Sequence, residues 1–333
     1  MNSCFIIIVI IVVVMLCLFK KPSCRNYLIV ELVIPNNSDK GGFAWHLHMV
    51  QSGIYLAKKY NLKLFVWFQD GYYYDKEVGP NWWEYYFLQP FYFTDNERQY
   101  LRRCIQYRTM TPMVDTAFSG RVPYLFTNYT FQSLVRPQHL RWADFYKNIV
   151  LTPKMQETVD AFAQMYFTAE MIGVHYRGTD KFPSNGDPED VGNGHMKYEV
   201  MISAIDAYIK NTSYGIFVAS DEQPFVDVMK KHFKNKIVMH NSARASINTS
   251  GLDLGETFNC TKESPEEECK RYFDIVNNHT IHRGDNMIRP YKKGYDAVMD
   301  IYLLSRCKVM FRNADGGNFS SQPIRINTDM EMY

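Results

Sequence analysis

An apolar segment of this chain runs directly into a cluster of polar side chains. Residues 172–176 lead into the pattern His175-x-Arg177, and Thr179, Asp180 and Lys181 follow at once. An arginine can make two parallel hydrogen bonds to a phosphate, and a histidine can donate to a base or stack on it. Because open α/β sheets bind ligands beyond the carboxyl ends of their strands, this pattern indicates a phosphate- or nucleotide-binding edge.

Two later apolar segments also end in polar residues. Residues 217–219 lead into Ser220-Asp221-Glu222, and residues 309–311 precede Gly316-Gly317 and then Ser320-Ser321-Gln322. The carboxyl ends of parallel strands share one edge of a sheet, so we expect these groups to converge with Arg177. Arg177 and the turn at Ser320-Ser321 would bind phosphate, and Asp221 would bind base or ribose. The alternatives are that Asp221 caps the next helix and that the serines form a surface turn.

Other chemistries find less support. The sequence contains no P-loop, no Gly-x-Gly-x-x-Gly fingerprint, no Gly-x-Ser-x-Gly elbow and no Asp-x-Asp pair. Phosphate charge would then be met by Arg177, backbone N–H groups and helix dipoles rather than by a metal. Thirty-seven basic residues against 35 acidic ones give a net charge of +2, which does not favour a nucleic-acid partner.

The elements that must position these residues alternate between strands and helices. This order predicts crossover connections and parallel sheets. The predicted strands are residues 28–34, 62–68, 171–176, 214–220, 237–239 and 307–311, and the predicted helices lie at 43–57, 95–107, 137–147, 153–169, 196–210, 223–234 and 291–306. We therefore predict an α/β protein with two such units.

Two features of the first unit could contact a ligand. Gly41-Gly42 precedes the first helix, whose N-terminus would be open to an anion or a sugar hydroxyl; a tight turn is the alternative. Residues 71–94 are rich in aromatic side chains, which form either a stacking platform for sugar rings or a buried lid.

The length of 333 residues allows two domains of ordinary size. We place the boundary near residue 168, which gives a first domain at 25–168 and a second at 169–333. The polar segment 241–290 interrupts the second domain as an insertion.

Residues 1–24 are predicted to be a signal anchor or a signal peptide. The apolar run from Cys4 to Phe19 would span about 24 Å as a helix, against about 30 Å of hydrocarbon. Lys20 and Lys21 follow the run, which by the positive-inside rule favours the cytosol for the rest of the chain. Seven Asn-x-Ser/Thr sequons, where chance supplies roughly three, favour the lumen instead. They begin at Asn36, Asn128, Asn211, Asn248, Asn259, Asn278 and Asn318. We expect a lumenal domain in the Golgi or endoplasmic reticulum membrane, where Cys260 and Cys269 could pair.

At this point the motifs resemble those of a known family. The stretch Ile-Gly-Val-His-x-Arg-x-Thr-Asp-Lys at 172–181 resembles the central motif of the α1,6- and protein O-fucosyltransferase superfamily. Residues 217–221, the helix from Gly294 to Ser305 and the Ser-Ser-Gln turn match in order and spacing. The likeness is specific over residues 171–322.

The resemblance implies a GT-B fold, in which two Rossmann-like domains face each other across a cleft. It further implies an inverting, metal-independent transfer of fucose from GDP-fucose to a glycan or glycoprotein. Arg177 would hold the β-phosphate, His175 and Asp221 would contact guanosine, and Ser320, Ser321 and Gln322 would line the diphosphate.

Two positions depart from the family pattern. Gly178 stands where the α1,6 enzymes carry a second arginine, and Asn185 stands near the position of their catalytic glutamate. Asn cannot accept a proton at neutral pH. The candidate bases are therefore Asp187, Glu189 and Asp190, or Asp39 in the first domain. A transferase that uses another nucleotide sugar, and an inactive sugar-binding secretory protein, are the alternative functions.

Overall fold

The computed structural model describes residues 27–32, 42–106, 110–112, 122–125, 147–177, 196–210, 214–244, 288–313 and 319–333. The predicted N-terminal anchor, the predicted helix at 137–147 except its last residue, both cysteines of the expected pair and most of the insertion lie outside these residues. Within the described ranges, no helix is both long and apolar enough to cross a membrane.

The first unit is built on a four-stranded parallel sheet with the strand order β2-β1-β4-β3. The helix α1 follows β1 and buries one face against the sheet, as the spacing of its apolar residues predicts. The elements are β1 (Tyr27–Leu32), α1 (Phe43–Lys59), β2 (Lys63–Phe68), α2 (Trp83–Tyr86), α3 (Asp95–Gln106), β3 (Met110–Pro112) and β4 (Val122–Leu125).

The second unit has a five-stranded parallel sheet with the order β7-β6-β5-β8-β9. Chain order along this sheet reverses between β5 and β8, the kind of switch point where doubly wound sheets bind ligands. The elements are α4 (Pro153–Tyr166), β5 (Met171–Tyr176), α5 (Tyr198–Ile209), β6 (Gly215–Ser220), α6 (Gln223–Phe233), β7 (Ile237–Val238), α7 (Pro290–Leu304), β8 (Val309–Arg312), α8 (Ser321–Ile326) and β9 (Glu331–Met332).

The predicted α/β class is confirmed, since both sheets are parallel and helices alternate with strands. The central strands β5 and β6 are buried along their whole length, as expected for strands covered on both faces. Sequence patterns missed β3, β4 and β9. They are short strands at or near sheet edges, and too few residues show the period of a strand.

The two units share one apolar core. Its buried members include Val30 of β1, Trp83 of α2 and Leu304 of α7. The helix α7 therefore packs against both units, and the side chains that it carries are held between them.

The aromatic segment at 71–94 is largely part of this core. Tyr73, Trp82, Trp83, Tyr86 and Phe87 are each exposed by 1% or less. The indole N–H groups of the two tryptophans donate to the backbone, with Trp82 Nε1 3.0 Å from Asp70 O and Trp83 Nε1 3.0 Å from Leu88 O. Of the two alternatives for this segment, the buried arrangement is the one observed for these five rings.

Candidate functional site

A pocket lies at the carboxyl ends of β5 and β6, where the sequence places its first two polar clusters. His175, Arg177, Ser220 and Asp221 all line it. The empty space within it, including the part open to solvent, is about 580 Å³. The predicted convergence of these strand ends is thus observed.

The backbone of Arg177 is fixed by a residue from the neighbouring strand end. Asn313 follows β8, accepts a hydrogen bond from Arg177 N at its Oδ1 (2.9 Å), and donates from Nδ2 to Arg177 O (2.9 Å). This amide extends the pairing of β5 with β8 by one residue beyond their last partners, His175 and Arg312. The guanidinium of Arg177 is therefore carried by backbone that cannot shift freely.

His175 is held by stacking. Its ring is only 6% exposed and lies on the ring of Phe319, with the ring centroids 5.0 Å apart and an angle of 21° between the planes. Phe319 also lines the pocket, and no motif in the sequence marks it. The two rings together give the pocket a flat aromatic wall.

At the end of β6 the backbone turns so that Asp221 faces the pocket. Ser220 Oγ accepts a hydrogen bond from Glu222 N at 3.1 Å and stabilises this turn. Glu222, rather than Asp221, occupies the N-cap position of α6. The alternative role of Asp221 as a helix cap is therefore wrong, and its carboxylate lines the pocket instead.

One face of α7 supplies a set of pocket residues that the motif argument missed. Lys293, Asp296, Ala297 and Asp300 all line the pocket. Their spacing of three, four and seven residues places them on one face of a helix. The signal in the sequence was the presence of two carboxylates and a lysine at helical spacing in a helix that is otherwise apolar on its buried side.

Asp300 has the most unusual electrostatic environment of these residues. Part of its side chain faces the pocket, but the Oδ1 atom is shut off from solvent and has no hydrogen-bond partner within the described ranges. Burial, reinforced by the charge of Asp296, raises the pKa of Asp300 to about 8. A buried carboxyl group with an unused oxygen in a pocket is a candidate ligand contact.

The remaining predicted site residues do not line this pocket in the described structure. Gly42 is the exposed N-cap of α1, while Gly41 lies outside the described residues. Ser320 and Gln322 are 1% and 0% exposed, and Gln322 Nε2 lies 3.4 Å from His48 Nε2 of α1. Ser321 begins the short helix α8, so the predicted Ser-Ser-Gln turn is a helix start.

The candidate bases cannot be placed. Asp39, Asp187, Glu189 and Asp190 lie outside the described residues, as do Gly178 and Asn185. Their roles stay predictions.

The fold and the site define an α/β protein with a polar pocket at the carboxyl ends of two central strands, β5 and β6, of its second sheet. No protein-family model and no curated protein matches the chain. Solved structures do. NodZ alpha-1,6-fucosyltransferase co-crystallized with GDP is 13% identical, with 90% of this chain and 91% of that chain covered and a TM-score of 0.49. POFUT1 in complex with GDP is 11% identical, with 93% and 98% covered and a TM-score of 0.45. A variant of Arabidopsis thaliana FUT1 with GDP is 12% identical, with 92% and 70% covered and a TM-score of 0.46.

The resemblance to fucosyltransferases that the motifs indicate stays a prediction. Since the identities are low and the TM-scores lie below 0.5, the function of this chain has to be argued from its own side chains.

Proposed function

We propose that this chain is a glycosyltransferase that moves fucose from GDP-fucose to a glycan or glycoprotein acceptor with inversion at the anomeric carbon. The observation that supports the nucleotide is the presence of a cationic group, Arg177, and a buried carboxyl group, Asp300, in the lining of one pocket. The choice of fucose as the sugar comes from the motif at 172–181.

Arg177 and Lys293 suit the diphosphate of such a donor. Both line the pocket and carry positive charge, and Arg177 can bind phosphate oxygens in pairs. Lys293 lies in the first turn of α7, whose N-terminus adds a partial positive charge. These groups would stabilise the negative charge that develops on the leaving GDP without a metal.

Asp300 suits the base. Guanine presents the adjacent donors N1–H and N2–H₂, and a carboxylate can accept from both at once. Asp300 lies seven residues after Lys293, about 10 Å further along the helix axis. The cationic and the base-binding groups are therefore separated along α7, which suits an extended nucleoside diphosphate.

In the proposed reaction the acceptor hydroxyl attacks the anomeric carbon from the side opposite GDP. The bond between that carbon and the β-phosphate oxygen breaks, and its electron pair goes to the phosphate. The hydroxyl proton passes to a carboxylate, for which Asp187, Glu189 and Asp190 are the candidates and Asp39 the alternative.

We further propose that the reaction takes place in the lumen of the Golgi or endoplasmic reticulum, with residues 1–24 as the membrane segment. The apolar run and the excess of sequons support this location. Enzymatic removal of N-glycans from the protein expressed in a secretory host should increase its electrophoretic mobility.

A donor screen tests the function. Calorimetry with GDP-fucose, GDP-mannose and a UDP-sugar should show binding of the guanosine donors, and only GDP-fucose should release GDP when acceptor glycans are present. Preference for another sugar nucleotide would indicate a different transferase. Binding of GDP without transfer and without slow donor hydrolysis would indicate an inactive sugar-binding protein, the outcome that Gly178 in place of an arginine would explain.

A further inference from the structure

The segment after β7 forms a wall of the pocket that no sequence motif selects. This segment, residues 240–244, is called the β7 loop here. Ser242 and Ala243 of the β7 loop line the same pocket as Asp300. A loop that contributes to a ligand pocket needs a fixed shape, and this one is tied to α7.

Charged side chains hold the β7 loop in place. Asp296 Oδ2 accepts from Ala243 N at 3.4 Å, and Asp296 Oδ1 pairs with Lys292. Lys292 Nζ also donates to Asn241 O at 3.1 Å. Asp296 and Lys292 are one helical turn apart, so the pair clamps the loop from a single face of α7.

The loop is braced internally by Arg244. Its guanidinium donates to His240 O at 2.8 Å and to Ser242 O at 3.0 Å, and Ser242 N donates to His240 O at 2.9 Å. His240 Nδ1 lies 3.6 Å from Asp296 Oδ1. Burial, with the charges of Lys292 and Arg244, lowers the pKa of His240 to about 4, so the ring is neutral at pH 7.

The hydroxyl of Ser242 takes no part in the hydrogen bonds that hold this loop. Its Oγ atom is buried and has no hydrogen-bond partner in the part of the chain that the structure describes. Asp300 lines the same pocket, and its Oδ1 atom is likewise buried without a hydrogen-bond partner among the described residues. Buried polar atoms in native proteins are nearly always paired, so two residues that line one pocket and each keep a buried polar atom without a partner point to a ligand edge with complementary groups.

We propose that Ser242 is a specificity-determining residue, whose hydroxyl donates to O6 of a guanine base, and that Asp296 is the residue that positions it. This assignment rests on the proposed GDP donor. Guanine carries O6 next to N1–H and N2–H₂, which matches a hydroxyl donor beside a carboxylate acceptor. Adenine carries an amino group in place of O6, and uracil has no pair of adjacent N–H donors.

The experiment is calorimetry with two nucleotides on the full chain. GDP is compared with 6-thio-GDP, which keeps N1–H and the 2-amino group for Asp300 and replaces O6 by sulfur, a much weaker hydrogen-bond acceptor. Ser242→Ala should weaken GDP binding about fivefold to tenfold, the size of one hydrogen bond, and should leave binding of the analogue nearly unchanged. Ser242→Thr, which keeps the hydroxyl, should restore most of the GDP affinity.

Ser305→Ala is the matched control. Ser305 is also buried, and its hydroxyl donates to Tyr302 O at 2.7 Å, one turn back on α7. It should leave the affinity for both nucleotides unchanged. Asp296→Asn should lose GDP affinity by at least the factor seen for Ser242→Ala, and adding Ser242→Ala to it should cost little more.

The two proposals fail in different ways. If the unaltered chain binds neither nucleotide, the proposed GDP donor is wrong and the assignment of Ser242 falls with it. If the chain binds GDP and Ser242→Ala binds it equally well, or loses affinity equally for GDP and the analogue, the assignment of Ser242 is wrong while the GDP donor stands.

Discussion

Asn313 exchanges two hydrogen bonds with the backbone of Arg177, one to its N–H and one from its own amide to the carbonyl oxygen, each 2.9 Å long. The two residues are 136 positions apart in the chain. The contact lies at the switch point between β5 and β8, where a doubly wound sheet opens a crevice. The contact holds Arg177, the proposed phosphate-binding residue, at the middle of the sheet.

Asn313→Ala should therefore affect donor binding as well as stability. The change leaves two backbone groups of Arg177 without their partners, so we expect a loss of about 1–3 kcal/mol in the free energy of unfolding. We also expect the KM for the nucleotide donor to rise about tenfold, because Arg177 is less well placed. Thermal unfolding and steady-state kinetics measure the two effects.

Asn327→Ala is its control. Asn327 Nδ2 donates to Ser305 O at 3.0 Å and to Cys307 O at 3.4 Å, away from the pocket. This variant should lose stability and keep the donor KM. Equal changes of KM in both variants would mean that Asn313 has only a structural role.

Arg177→Ala should reduce turnover about 10²- to 10³-fold, by analogy with the removal of other groups that stabilise developing charge. Arg177→Lys keeps the charge but loses the paired hydrogen-bond geometry, so its turnover should lie between that of the unaltered chain and that of Arg177→Ala. Arg306→Ala removes an arginine that pairs with Asp160 at the surface and should leave turnover unchanged. Full activity of Arg177→Ala would show that Arg177 does not bind the donor.

The binding of GDP should depend on pH through Asp300. Burial raises the pKa of Asp300 to about 8, so in the free protein the carboxyl is mostly protonated at pH 7. Two guanine N–H donors need the ionised form, and binding then releases a proton. The affinity for GDP should rise with pH up to about 8, by as much as tenfold per unit, and level off above it.

Calorimetry in buffers of different ionisation enthalpy measures the released proton directly. Asp300→Asn should remove the pH dependence together with most of the affinity. The folded protein holds this proton more tightly than the unfolded chain, so Asp300 should also lower the free energy of unfolding as pH rises from about 4 to 8. A GDP affinity that is constant from pH 6 to 9 would contradict the role of Asp300.

Gly294 allows the close approach of α7 to the first unit. A Cβ atom at this position would overlap the Tyr86 hydroxyl and would lie 2.7 Å from Cζ of its ring. That hydroxyl donates to Tyr291 O at 2.6 Å, and the Tyr86 and Tyr291 rings stack with centroids 5.6 Å apart. Gly294→Ala should cost about 1–3 kcal/mol of stability.

Gly79→Ala is the comparison for this change, since a Cβ there would lie 3.5 Å from the Tyr85 ring, an ordinary contact. Thermal unfolding should separate the two variants clearly. Equal melting temperatures would show that α7 can shift without cost.

The residues after β5 and β6 could be found in the sequence because the signal is local. An apolar strand followed at once by His175-x-Arg177, or by Ser220-Asp221, shows its pattern within ten residues. The parallel α/β class followed in the same way from the alternation of periods. The ends of parallel strands meet by construction, so their convergence needed no knowledge of packing.

Only the tertiary structure brought in Asn313, Asp300, Asp296 and Ser242. Asn313 follows β8, Ser242 follows β7, and Asp296 and Asp300 lie on α7. The helical spacing of the two carboxylates places them on one face of α7, but it does not show that this face meets the pocket. The aromatic segment at 71–94 is a second example. Its composition suits a sugar-binding platform and a buried core equally, and only the burial of its rings in the structure distinguishes the two. The sequence by itself determined which strands are followed by polar side chains that can bind a ligand. Packing determined which distant groups share that space, because local periodicity fixes the direction of a side chain on its own element but not the element that it faces.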